Sequence, residues 1–173
     1  MKKMILTVSA AFISMLSFAQ PVTADKMMKH TGELIDVTVI KVGEQTIIYK
    51  YPGEHAEQTI GKFAVAKITF GKSGRVESIS EKIVVSGKDD WESVEVLTDL
   101  AQVDGLKKGE EVKGKTSGLL SYNSAGSADK KATKRMKEDP ADFDAPFVLL
   151  ISDKSDGFGV KQAIKKGVVY YYK

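Results

Sequence analysis

Between residues 31 and 85 apolar residues recur at every second position, and turn chemistry interrupts them about every ten residues. Ile35, Val37 and Val39 alternate with Asp36 and Thr38. Residues 42–45 (Val-Gly-Glu-Gln) suit a turn, and residues 46–51 are rich in β-branched and aromatic side chains. Pro52-Gly53 is a strong turn signal. Residues 59–60, 64–70 and 75–85 continue the series, with Gly-Lys-Ser-Gly at 71–74 as a hairpin-like connection. A period of two places one face of each strand in a core and the other in water. This stretch therefore reads as a meandering antiparallel sheet without helix. Residues 21–29 read as a polar, mobile lead-in, and residues 86–90 (Ser-Gly-Lys-Asp-Asp) as a junction.

The second half is mixed. Residues 93–98 and 110–116 suit strands, with a loop or short helical turn over 100–108. Residues 117–126 form a loop rich in Gly, Ser and Asn. Ala128, Ala132 and Met136 lie four apart, on one face of a helix whose opposite face carries Lys130, Lys131, Lys134 and Arg135. Ser127 is an N-cap candidate, and Pro140 should end or kink the helix at Asp139. The apolar run 147–151 reads as a buried strand, 152–159 as a glycine-containing loop, and 167–173 as a terminal strand.

The chain opens on an address. Lys2 and Lys3 precede sixteen mostly apolar residues, 4–19, and small residues Ser17 and Ala19 flank Phe18 before Gln20. The segment reads as a secretory signal peptide over 1–19, with cleavage expected between Ala19 and Gln20. The run is short of the ~20 apolar residues that a membrane-spanning helix needs, so no stable span is expected after cleavage. No Cys follows to take a lipid. Loss of Lys2 and Lys3 lowers the formal charge from +3 to +1, which gives no overall electrostatic case for nucleic acid. A chain of 173 residues buries roughly 68–70% of its unfolded surface, so it folds without disulfides. Its 42% hydrophobic and 28% charged composition sets aside collagen-like, coiled-coil and wholly disordered chains.

Several patterns resemble chemistry. Residues 109–116, Gly-Glu-Glu-Val-Lys-Gly-Lys-Thr, fit G-x-x-x-x-G-K-[ST], and Asp153 follows an apolar run as a magnesium-binding acid would. A phosphate loop needs a helix starting at Lys115, with amides and dipole aimed at the phosphates. Here Ser117, Gly118, Ser121 and Asn123 follow, and Glu110 and Glu111 would repel phosphate. A strand ending in a Gly-Lys turn is the better reading. Glu138, Asp139, Asp142 and Asp144 are candidate cation ligands, although their spacing matches no calcium loop. Asp153 and Asp156 begin like such a loop, but its twelfth position is Ile164 instead of Glu. His30 and His55 are the only imidazoles, and Glu54 or Glu57 could join His55 at a metal. Counting leaves open a Ser-His-Asp triad or a glycosidase carboxylate pair, but there is no G-x-S-x-G elbow and no aromatic sugar platform. No cofactor is expected.

Trp91 stands at the junction, where it could lock the two halves together or serve as an interface residue. Tyr170, Tyr171 and Tyr172 alternate faces on a regular strand, so Tyr171 opposes its neighbours; they are half-buried sheet tyrosines or an edge-strand recognition surface.

Two resemblances follow from these residues. Residues 32–37, 43–49 and 60–71 resemble a small β repeat of exported Bacteroidetes proteins. Residues 128–148, with Ala128, Ala132, Met136, Ala141, Ala145 and Val148, and the ending Gly167-Val-Val-Tyr170, resemble YbjQ-like domains and the RcsF-like envelope-stress sensor over residues 91–172. YbjQ-like domains carry a heavy-metal-binding description. Pro140 stands where that pattern has Ala, and Asp144 where it has Gly. With no Cys, neither the sensor's disulfides nor a metal-ligand set carries over. The resemblance implies an α+β domain, a helix on an antiparallel sheet, and allows a ring-forming oligomer.

Together these readings give an α+β protein, with a small β domain over 30–86 and an α+β domain over 90–173. The expected function is an exported, periplasmic or secreted, non-catalytic module for binding, adapting or sensing. Its partner would be an envelope protein or a second copy of itself, recognised through exposed sheet edges. The alternative is a small-ligand or metal-cation binder built on the acidic loops around 138–144 and 153–156.

Overall fold

The computed structural model describes residues 24–116, 125–156 and 162–173; the signal peptide expected over 1–19 and residues 117–124 of the loop expected over 117–126 lie outside these. The described chain is mixed α+β and dominated by strands. Six strands form the first sheet: β1 (Asp25–Lys29), β2 (Leu34–Val42), β3 (Thr46–Lys50), β4 (Gln58–Gly61), β5 (Val65–Thr69) and β6 (Val76–Ser78), in the order β4-β3-β2-β1-β5-β6. The second sheet holds β7 (Glu95–Leu97), β8 (Leu106–Lys115), β9 (Phe147–Asp156) and β10 (Gln162–Tyr172), in the order β7-β9-β10-β8. All pairings are antiparallel except β7 with β9. One helix, α1 (Ala125–Asp142), packs on the far face of the second sheet.

The residues expected as a mobile lead-in instead supply β1, the central strand that joins β2 to β5. Its sequence, Asp-Lys-Met-Met-Lys, looks polar, yet Met27 is fully buried. Asp25 fastens one end, accepting hydrogen bonds from the Val39 and Gly71 amides at 2.9 Å each. The run expected as a strand over 75–85 pairs only as far as Ser78, though Val85 still reaches the core.

The two sheets face each other. Met27, Val37, Ile47, Val65 and Ile68 of the first share one apolar cluster with Leu97, Phe147, Leu149, Val168 and Tyr170 of the second. Each half of the chain thus builds its own sheet, while a large part of the core belongs to both. A second cluster lies between the second sheet and α1, with Val94, Val112, Met136, Val148 and Val169 at its centre.

Alternation in β10 explains this division. Val168 and Tyr170 point to the first sheet, while Val169 and Tyr171 point to the helix side, as a period of two requires. In β8 the alternation breaks. Val168 pairs with Glu111 and Tyr170 with Lys108, so Gly109 and Glu110 together oppose Val169 in a β-bulge. Leu106 consequently packs between the sheets, whereas Val112 packs under the helix.

Helix α1 buries Ala128, Ala132 and Met136, the face its sequence marks. Two expectations about its ends do not hold. Ser127 is inside the helix, because the helix begins at Ala125. Pro140 does not stop it at Asp139; the helix continues to Asp142. Pro140 lies in the last turn and lacks an amide hydrogen there, but its carbonyl accepts from Phe143 and Ala145. Asp144, at φ 53°, takes the left-handed position beyond the helix and donates its amide to Ala141, closing a Schellman-type end. Gly is usual at such a position, and the Asp144 carboxylate adds a bond that Gly lacks, accepting from the Gly87 amide at 2.8 Å.

The segment expected as a loop over 152–159 continues β9 to Asp156, paired with β10. Ile151 is the extra residue of a bulge there and is exposed, so the apolar run 147–151 is buried only in part. Beneath this extension Lys165 is nearly enclosed. It bonds to Asp153 at 2.6 Å and Asp129 at 2.8 Å, tying β10 to β9 and α1. Burial alone would lower its pKa, but the hydrogen bonds and charges of the two acids outweigh burial and raise it above the ordinary 10.5. The two carboxylates are nearly half exposed, so water takes over their charge when Lys165 is removed, and Lys165→Ala should cost about 1–2 kcal/mol in urea unfolding, for the lost charged hydrogen bonds and side-chain packing. Because the folded pKa is raised, the stabilisation is intact below pH 10.5 and fades as pH climbs through the folded value. The variant should show a flatter stability profile in that alkaline window; an unchanged slope would contradict the linkage.

Candidate functional site

The motif at 109–116 forms no phosphate loop. Residues 109–115 are strand β8, and the amides run along the ladder to β10 instead of converging at a helix end. Gly114 is where the helix crosses: a Cβ there would lie 2.1 Å from the Ala132 carbonyl oxygen and 2.8 Å from the Met136 nitrogen. Its glycine serves packing.

The acidic candidates do not converge. Glu138 pairs with Lys134 at 3.8 Å, Asp144 caps α1, and Asp139 and Asp142 are exposed on the same helix end. Among the described residues no group of three or more His or acidic side chains gathers as a metal centre would require. Asp153 serves Lys165. His55 is exposed on the segment between β3 and β4.

Trp91 does not lie between the sheets. It sits in a short 3-10 helix, Lys88–Ser93, half-buried against the cluster under α1. Lys134 and Lys137 of the helix place their ammonium groups 5.0 and 5.8 Å from its ring centre, and Lys137 also donates to the Glu92 carbonyl. Trp91 thus pins the junction segment to the helix. Tyr170 is buried, and Tyr171 is half-buried on the helix side. Tyr172 closes the core edge against Phe147 at 5.2 Å, with its hydroxyl accepting from the Ile83 amide. None of the three forms an open aromatic surface.

His30, at the end of β1, meets Ser80 with 2.8 Å between Nε2 and Oγ, and its ring lies 5.0 Å from Tyr172. The distance resembles a nucleophile and its base, but the proton runs the other way. The Ser80 hydroxyl has one hydrogen, and its oxygen lies 2.9 Å from the Val65 carbonyl and 3.0 Å from that of Lys62. The hydroxyl donates to those carbonyls, so His30 Nε2 is the donor to Ser80. Burial first, and the Lys82 charge second, hold the His30 pKa below its ordinary 6.5. A base with a lowered folded pKa stabilises the fold above pH 6.5, and this is lost as pH falls through the folded value. Thermal stability should therefore drop on acidification below 6.5 more steeply in the natural chain than in His30→Gln; matching profiles would refute the assignment.

What remains open lies on the first sheet. Its outer face is uncovered by any described element: Lys26 pairs with Asp36 at 3.6 Å, and Thr38, Lys67 and the exposed Leu34 and Val76 lie about them. At one end the β5–β6 connection and β2 enclose a cleft of about 310 Å³, lined by Ala24, Asp25, Thr38, Val39, Phe70, Lys72, Ser73 and Arg75. Both Asp25 oxygens are spent on backbone amides. The Arg75 guanidinium stands 4.2 Å above the Phe70 ring and bonds Glu77 at 2.8 Å. A stacked, paired guanidinium is held in place and still has donors to spare. The cleft can bind a small polar or anionic group; it holds no base–nucleophile pair. Sequence reasoning missed it because Asp25 and Arg75 are fifty residues apart and only the β1–β5 pairing unites them. No helix among the described residues is long and apolar enough to cross a membrane. Comparison of the chain with family models, with curated proteins and with solved structures gives no match.

Proposed function

We propose that this chain is an exported, non-catalytic protein of the cell envelope, acting as a binding, adaptor or sensing module. Its contact surface is the outer face of the first sheet and the cleft at its end. The observation that carries the reading is this uncovered six-stranded face, where exposed Leu34 and Val76 stand among Lys and Thr side chains. The commitment of Ser80 to backbone carbonyls supports a non-catalytic reading of the His30 pair. The leader at 1–19 supports export.

The test is a photo-crosslinking residue placed at Thr38 in one variant and at Asp139 in another, with cell fractionation. The reading expects the mature chain outside the cytoplasm and one dominant adduct from Thr38, absent from Asp139. Retention in the cytoplasm, or identical adducts from both positions, would overturn it. The cleft favours one narrower version, a small-ligand binder, which expects a thermal shift with a small anion that Arg75→Ala removes.

A further inference from the structure

Past the end of β7 the second sheet narrows to β8, β10 and β9, and its two faces differ sharply in charge. On the helix side, Lys165 is matched by Asp129 and Asp153, and Ala163 packs on Ala128 and Ala132. The other face continues beyond the shared core. Register fixes its rows: Lys154, Ile164 and Lys115 lie side by side across the three strands, and Ser152, Lys166 and Lys113 form the next row. All four lysines are exposed, and Ile164 between them is half-buried.

Lys113 and Lys166 are directly opposite each other. Like charges in that relation destabilise a sheet, and none of the four lysines has an ion pair among the described residues. Two acids share this face in register, Glu111 opposite Val168 one row further in and Asp156 opposite Gln162 one row further out, so the lysine rows lie between them. Asp153, which could have neutralised the face, is turned to the other side by the bulge at Ile151 and consumed by Lys165. The chain thus brings four exposed ammonium groups, none in an ion pair among the described residues, into two adjacent rows although its charge is nearly balanced overall.

We propose that this face binds an acidic polysaccharide. The cations are lysines, point charges without the fork that reads one phosphate or carboxylate bidentately, so the patch suits repeated charge along a flexible polymer. No aromatic side chain lies in the two rows to stack a base, which single-stranded nucleic acid would use. No exposed large apolar residue stands in them to enter a bilayer, as an interfacial anchor would require.

The experiment measures binding of the mature chain to heparin, with phosphatidylglycerol vesicles and duplex DNA as competitors, across a salt series. The natural chain should bind heparin, release it as salt rises, and prefer it to both competitors. Lys113→Glu/Lys166→Glu should weaken heparin binding about tenfold or more, since two of four contacts reverse sign. Lys113→Glu alone converts the opposed pair into an attractive one, so its Tm should rise by about 1–4 °C while affinity falls. That single variant separates lost binding from lost folding. No binding to heparin, unchanged affinity in both variants, or tighter binding to vesicles or DNA at the same salt would overturn the proposal.

Discussion

Gly114→Val is expected to destabilise the protein by about 3 kcal/mol or more, beyond the usual cost of overpacking, because the clash is with backbone. Even a methyl at this position would sit 2.1 Å from the Ala132 oxygen and 2.9 Å from the Met136 Cβ. The conflict cannot be relieved by turning a side chain; α1 must lift from β8 or β8 must bend away. Lifting α1 exposes Ala128, Ala132 and Met136. Urea unfolding followed by circular dichroism checks it, with Gly109→Val as comparison, whose nearest neighbour would be the movable Tyr171 ring at 2.7 Å. If Gly114→Val unfolds no earlier than Gly109→Val, the close crossing of helix and strand is wrong.

The second large effect is expected from Phe147→Ala, at about 3–5 kcal/mol. Phe147 is fully buried and packs edge-on to Tyr172 and tilted against Phe63, with ring centres 5.2 and 5.4 Å away. Phe63 comes from the first half of the chain and Tyr172 from the end of the second. The cavity therefore opens between the two sheets, and both should lose stability together. Hydrogen exchange read separately on β2 and β9 decides it: equal loss of protection follows from a shared core, whereas loss confined to β9 would show that the halves fold independently.

These two positions also mark what the sequence could reveal. Strands β2 and β3 were legible because each has one buried face, which stamps a period of two on the residues, and the end of β10 because it is buried on both faces and so reads as a continuous apolar and aromatic run. The helix face Ala128–Ala132–Met136 was legible for the corresponding reason at a period near four. The partner of a face is not written in its period. Nothing local to Phe147 says that Phe63 is its neighbour, so the shared core appears only in three dimensions. Strand β1 escaped because five residues with a single fully buried Met27 carry too little pattern. Pro140 misled because the helix runs on past it to Asp142, and its carbonyl, which accepts from Phe143 and Ala145, takes part in the closing turn. Of the candidate site residues, Trp91, Tyr170, Tyr171 and Tyr172 were marked by type, and the structure shows each of them in packing contacts. The Asp25–Arg75 cleft and the lysine rows depend on strand register, which no local motif announces.

The bulge at Gly109 and Glu110 carries a consequence beyond local geometry. Because β8 changes sides there, one continuous strand is a wall of both apolar compartments: Leu106 seals the space between the sheets, and Val112 seals the space under the helix. A length change of one residue at that point would exchange inside for outside along half the strand, turning Lys113 and Lys115 toward the helix and Val112 into water. The chain can tolerate many substitutions on this strand, but its residue count between Leu106 and Val112 has almost no freedom to drift.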